Sequence, residues 1–305
     1  MSDLPPPEYY ENIDWEEQVA EDERLIARVT AQAPGDENPL LDLSRPLDKD
    51  TLRQVMDAWH AHTVLLFRDQ KLSEEDQRRF ASYFGPVAKR VPPKPGAPGA
   101  SGSPEWDDMM MISDKVDDSG KALGSLGHGE MWFHTDKCYH RRPHRATFLY
   151  GIDIPSEGGH TQFSSMYAAY ENLPADLKRR LDGAWVMQGQ QYGVGRRIDI
   201  TLPLESTHHC LQPIIVTNPG SGKKALYVAG QNSMWIEGMD RNESEAVLEK
   251  LFAIAEDPAI IYEHVWRPDD LVMWDNLACL HARTDWPPEQ RRELRRCTVE
   301  GEPLY

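Results

Sequence analysis

Beyond Trp132 the chain is built from short, apolar, β-branched runs that recur to the C-terminus and are too brief for core helices. Ala146-Thr147-Phe148-Leu149-Tyr150, Lys224 to Val228, Ile260 to Trp266, Asp270 to Trp274 and Arg296 to Val299 each read as a strand. One strong helix interrupts them. Asn242 is its expected N-cap, Glu245 stands three residues on, and Val247, Leu248, Leu251, Phe252 and Ala255 share a face. Residues 164–173 and 174–181 read as short helices, and 187–210 as an irregular, partly Gly-rich stretch. Upstream, Asp48 to His60 places Leu52, Val55, Met56 and Trp59 on one helical face, and His62 to Phe67 suits a buried strand. Ser73 opens a second helix with Glu74, Glu75 and Asp76 in its first turn and Gly85 at its end. Strands with helices clustered outside them predict a mainly β fold, a sandwich or barrel with flanking helices.

A chain of 305 residues is long enough for one large domain. Residues 1–37 read as an acidic lead-in and 38–305 as a single domain. Within it, 91–129 carries little periodicity between its Pro-rich start and its Gly-rich end, and reads as a lid loop. The formal net charge of −17 disfavours nucleic acid and anionic membranes as partners. No apolar run reaches transmembrane length, and the acidic N-terminus is unlike a signal peptide. Cys138, Cys210, Cys279 and Cys297 contain no CxxC pair, which suits reduced thiols and a cytoplasmic location.

Trp132-Phe133-His134-Thr135-Asp136 carries the first chemical signal. On a strand, residues i and i+2 point to the same face, so His134 and Asp136 can present an imidazole and a carboxylate to one ion. His281, just past Trp274-Asp275-Asn276, supplies a third ligand from far along the chain. Two His and one carboxylate leave open coordination positions and suit non-haem Fe(II). By spacing alone the triplet also fits a Zn-dependent hydrolase, a non-catalytic small-molecule binder, or a core His satisfied by a carboxylate. Arg292 lies 11 residues after His281 and Arg296 lies 15 after it. Arginine is the natural clamp for a carboxylate, being planar, always charged and bidentate.

Several blocks, in order, resemble the Fe(II)- and 2-oxoglutarate-dependent dioxygenases of the taurine dioxygenase and 2,4-dichlorophenoxyacetate dioxygenase type. They are Val64 to Gln70, Phe80 to Gly85, His134-Thr135-Asp136, Gly158-Gly159-His160-Thr161, Met166 to Tyr170, Lys224 to Val228, and Trp266 to Asn276 with His281. The resemblance covers about residues 38–301 and implies a double-stranded β-helix (jelly-roll, cupin-like) core. It matches His134, Asp136 and His281 to the iron ligands, and Arg292 with Thr161 to the pair holding the distal carboxylate of 2-oxoglutarate. Arg296 matches a position that meets an anionic group of the primary substrate, and Arg90, next to Lys89, falls where the family lines its pocket. The implied reaction consumes 2-oxoglutarate and O2, releases succinate and CO2, and hydroxylates a small anionic substrate, a carboxylate, sulfonate or sulfate. Cleavage follows where the hydroxylated carbon bears a heteroatom. The carboxylate of Asp136 argues against halogenation. A homo-oligomer, dimer or tetramer, is also implied.

The sequence departs from the family pattern at His160, where Asp is commoner, at Phe133, and at Gln212-Pro213, where His-Pro is usual. Glu130, Lys137 and His140 flank the metal motif without an assigned role, and Tyr192 is expected near the pocket.

Overall fold

The computed structural model describes residues 41–89, 108–113, 129–191 and 195–305, and the backbone of 26–28. Arg90 and Tyr192 lie outside the described residues, as does most of 91–129. Two sheets frame the molecule. The larger has six strands in the order β1 (Ile26–Arg28), β2 (Val64–Phe67), β13 (Leu271–Asp275), β5 (His144–Asp153), β15 (Glu293–Glu300) and β3 (Met109–Ile112). The smaller runs β12 (Ile261–His264), β6 (Thr161–Ser165), β14 (Cys279–Arg283) and β4 (Met131–His134).

The period-2 geometry of the strands sorts side chains into layers. On β2 and β13, Val64, Leu66, Val272 and Trp274 join Phe163, Tyr262 and Trp266 in the core between the two sheets. Their neighbours Leu65, Phe67, Leu271 and Met273 face the other way, onto α1 (Lys49–His62) and α2 (Glu74–Ser82). Both faces are covered, which explains why these strands read as continuous apolar runs rather than alternating ones. A third cluster packs α3 (Met166–Glu171), α4 (Ala175–Leu181) and α5 (Arg241–Ala255) against the outer side of the smaller sheet. It also takes up strands β7 (Trp185–Gly189), β8 (His209–Pro213), β9 (Ile215–Thr217), β10 (Lys224–Leu226) and β11 (Ser233–Ile236). The fold is mainly β with flanking helices, as the strand pattern predicts.

Local signals place most elements. Asp48 caps α1 by accepting from the backbone N–H of Asp50 and Thr51, and Ser73 with Asp76 forms a capping box on α2. Five elements differ from the sequence reading. The N-cap of the long helix α5 is Asp240, not Asn242, because its carboxylate accepts from the N–H groups of Asn242 and Glu243. Glu245 is not a capping partner; it pairs with Arg197 instead. The stretch read as aperiodic contains β3, which gains its hydrogen bonds by edge pairing with β15. The region read as irregular, 187–210, overlaps the end of β7 and the start of β8, which pair with each other from Trp185↔Pro213 to Gly189↔His209. The helix expected over 164–173 is shortened to α3, since Ser164 and Ser165 belong to β6 and Ser165 caps the helix. All four cysteines are free thiols.

Candidate active site

The site lies where the smaller sheet faces β5 and β15 of the larger. β4 and β14 are antiparallel neighbours, and His134 stands directly across from His281. Their rings are 4.1 Å apart, a close cross-strand pair. Asp136 does not lie on the strand as the i, i+2 reading expects; it stands two residues past the end of β4, in a turn, and its Oδ2 lies 3.8 Å from His281 Nε2. One ligand atom from each residue falls within 4.8 Å of the others, and this triplet is the group among the described residues that can hold a metal ion.

The protonation states fit that use. His134 Nδ1 donates to the Trp132 carbonyl at 2.8 Å, which leaves the Nε2 lone pair for a ligand. Burial pushes both imidazoles down from their usual range, and for His281 the adjacent His134 adds to the effect. Burial by itself would raise the Asp136 carboxyl; Arg296, with His281 and His134, more than reverses this and holds it well below the usual carboxylate range. Neutral imidazoles beside an ionised carboxylate are the donor set that a divalent cation requires.

Asp136 is held from the opposite sheet. Arg296, on β15, places Nη2 2.5 Å from Asp136 Oδ2. Thr147, on β5, donates its hydroxyl proton to the same oxygen at 2.8 Å. Asn276 Nδ2 donates to that hydroxyl at 2.9 Å, and Trp274 Nε1 donates to Asn276 Oδ1 at 2.9 Å. The indole, amide and hydroxyl therefore all point one way, toward the carboxylate. The sequence reading did not assign Thr147 or Asn276. Their signals were alternation along the strand, with Thr147 sharing a face with Leu149, and membership of the Trp274-Asp275-Asn276 block.

The other candidate pair comes from both sheets, Thr161 from β6 of the smaller and Arg292 from the residue before β15 of the larger. Thr161 opens β6 across from Arg283 of β14. Its Oγ1 accepts from Trp266 Nε1 at 2.9 Å. Arg292 is 2% exposed, and its Nε donates to the Gly159 carbonyl at 2.8 Å. Gly158 and Gly159 both hold positive φ, and a Cβ on Gly159 would stand 2.8 Å from Arg292 Cδ, so this loop needs glycine for the arginine to pass. Burial, and then the neighbouring Arg283, push Arg292 down to about 9, still cationic at neutral pH. No carboxylate among the described residues forms an ion pair with it. Arg283, itself pushed down to about 10 by burial, donates to the Gly129 carbonyl.

The remaining flagged residues lie around this frame. His160 turns to the rim and meets Glu263 at 2.5 Å, away from the triplet. Lys137 takes a positive φ and reaches Glu300 at 3.4 Å. Gln212 donates to the carbonyls of Cys138 and His140 at 2.9 and 2.7 Å, so it braces the turn that carries Asp136. Glu130 is exposed.

Residues 27–298 match the family described as "Taurine catabolism dioxygenase TauD, TfdA family". The chain belongs to this family. It is 33% identical to the pentalenolactone F synthase of Streptomyces avermitilis, over 89% of this chain and 92% of that one. It is 32% identical to the alpha-ketoglutarate-dependent 2,4-dichlorophenoxyacetate dioxygenase of Burkholderia sp. (strain RASC), over 86% and 89%. The crystal structure of AAD-2 in complex with Mn(II) and N-oxalylglycine superposes with a TM-score of 0.73 at 26% identity, covering 92% of this chain and 97% of that one. The chain is accordingly a 2-oxoglutarate-dependent, non-haem iron dioxygenase, an oxidoreductase that uses Fe(II), 2-oxoglutarate and O2. No helix among the described residues is long and apolar enough to cross a membrane.

Proposed function

We propose that this dioxygenase hydroxylates a small anionic organic substrate, with His134, Asp136 and His281 holding the iron and Arg292 and Thr161 holding the distal carboxylate of 2-oxoglutarate. The observation that carries the reading is Arg292, a buried cation that no acid among the described residues pairs with, at the entry to β15 in a fold that also gathers a His-Asp-His triplet. A buried guanidinium is stable only when a counter-charge arrives, and a dicarboxylate co-substrate supplies one. When bound, iron would activate O2 as the oxidant, with 2-oxoglutarate supplying two electrons and leaving as succinate and CO2.

The chain's own residues do the rest. His134, Asp136 and His281 would hold the metal with three protein ligands and leave coordination positions for other ligands. Thr147 and Arg296 keep Asp136 ionised and stop it rotating. Arg292 sets the direction in which the co-substrate lies, and the apolar core around Trp274 and Phe163 keeps water away from the rear of the site.

For the primary substrate, a relative named for an aryloxyacetate supports a carboxylate. Arg296 supports it too, because its Nε is buried with no hydrogen-bond partner in the described chain. Arg90 stays part of this reading as a second cation of the pocket; a homo-oligomer rests on the family resemblance, and a cytoplasmic location on the four cysteines that form no pair. The zinc-hydrolase and binder readings have no use for a buried Arg292. The test is an anaerobic titration of apo-protein with Fe(II) and 2-oxoglutarate, followed by visible metal-to-ligand charge-transfer absorption. The band is expected, and is expected to vanish in His134→Ala. Well-folded protein that gives no band and retains Zn²⁺ would remove the proposal. A screen of small carboxylates, sulfonates and sulfates for succinate release above the uncoupled rate then identifies the substrate class.

A further inference from the structure

We propose that Trp266 is a positioning residue for the co-substrate: its indole N–H orients the Thr161 hydroxyl so that the hydroxyl proton is presented to the distal carboxylate of 2-oxoglutarate. The inference rests on the reading of Thr161 and Arg292 given above.

A threonine hydroxyl has one proton to give and two lone pairs, and by itself it rotates to suit any neighbour. Here one lone pair is taken by Trp266 Nε1 at 2.9 Å. An indole N–H only donates, so it cannot receive the threonine proton. Among the described residues the Thr161 hydroxyl has no acceptor, although the residue is 3% exposed. Its proton is thus turned away from Trp266 and left for a ligand acceptor.

The indole is held in place. Trp266 is 5% exposed, and the edge of its ring meets His264 at 4.6 Å and 86°. His264 lies across from Thr161 in the β12–β6 ladder, so the ring that supports the indole and the hydroxyl that receives its N–H share one register position. Asp270 anchors the assembly. It accepts from Arg68 Nη1 at 2.6 Å and from the Arg267 backbone N–H at 2.9 Å, and its Oδ2 lies 3.2 Å from His264 Nε2. The same device recurs at the metal, where Trp274 orients Asn276, which in turn points the Thr147 proton at Asp136. Each end of the site therefore has an indole at the back of a hydroxyl.

The experiment measures keto-acid affinity of the full-length Fe(II) protein by anaerobic charge-transfer titration, with no turnover involved. Trp266→Phe keeps most of the ring and removes the N–H. It should weaken 2-oxoglutarate on the order of 3- to 10-fold, the worth of one hydrogen bond. It should leave 2-oxopentanoate, which has the same chain without the distal carboxylate, unchanged. The loss should persist in a Thr161→Ser background and disappear in Thr161→Val. Replacement of Trp266 by benzothienylalanine, which keeps the bicyclic shape and lacks the N–H, should reproduce the effect and covers the case in which phenylalanine disturbs packing. Equal weakening of both keto acids, or an undiminished loss in Thr161→Val, would overturn the proposal and make Trp266 a packing residue. If Thr161→Val alone leaves 2-oxoglutarate affinity unchanged, the assignment of Thr161 fails first and the proposal fails with it.

Discussion

Arg292 and Arg296 lie four residues apart, one just before β15 and one within it, and the protein treats them in opposite ways. Arg296 is paired with a carboxylate of the chain, and Asp136 in turn receives a second donor from Thr147. Arg292 is buried more deeply, with a backbone carbonyl, the Trp286 face 5.3 Å away and a repelling Arg283, and with no acid among the described residues. At the metal end, charge is balanced by the chain before any ligand enters. At the other end it is left for the ligand to balance. A stability-minded sequence would pair both arginines; one left without an acid in a dry place marks where an anion is meant to sit.

That contrast predicts effects of opposite sign. Arg296→Met strips the counter-charge from a buried carboxylate, and apo-protein stability should fall by about 3–5 kcal/mol in urea unfolding. Arg292→Met removes a buried cation that nothing in the chain offsets. Its 2-oxoglutarate affinity should drop by about 2–5 kcal/mol, while apo-protein stability holds or rises. Destabilisation by both substitutions alike would erase the distinction. A smaller effect is expected from Thr147→Val, which deletes one donor to Asp136 and should weaken iron about 10- to 100-fold in a competition titration with a chelator.

A pH measurement sharpens the metal end. Burial pushes His144, beside Thr298, down to about 3, against an ordinary value of 6.5. The unfolded chain binds this proton below about 6.5 and the folded chain only near 3. The resulting stabilisation is complete above 6.5 and is lost as the pH falls from there toward 3. His144→Gln should flatten that acid limb in pH-dependent denaturation, and an unchanged slope would place the acid sensitivity elsewhere. Arg292, a cation likewise shifted down, acts with the same sign in a higher window: the folded state gains as the pH rises from about 9 toward 12.5, where the unfolded arginine also loses its proton.

Much of this architecture was legible before any coordinates. Periodicity located α1, α2, β2, β13 and β15, because strands and helices that bury a face must repeat at their own pitch. The ligand triplet was legible because His134 and Asp136 are close in sequence, and the resemblance pointed to His281. Where local reading went astray, the deciding contact was distant. β3 is a strand only because the edge of β15 offers it hydrogen bonds, and Asp240 caps α5 in place of Asn242 because of where the chain enters that helix.

The sequence by itself determined most element types, the burial of the central strands and the candidate ligand pair His134 and Asp136, since these follow from residue chemistry and short-range spacing. Only the tertiary structure decided which arginine is neutralised and which is not, and which hydroxyls are oriented by an indole. Those outcomes depend on strands far apart in sequence meeting in register. A residue's electrostatic state is a property of what surrounds it, and what surrounds it is settled only when the sheets close on each other.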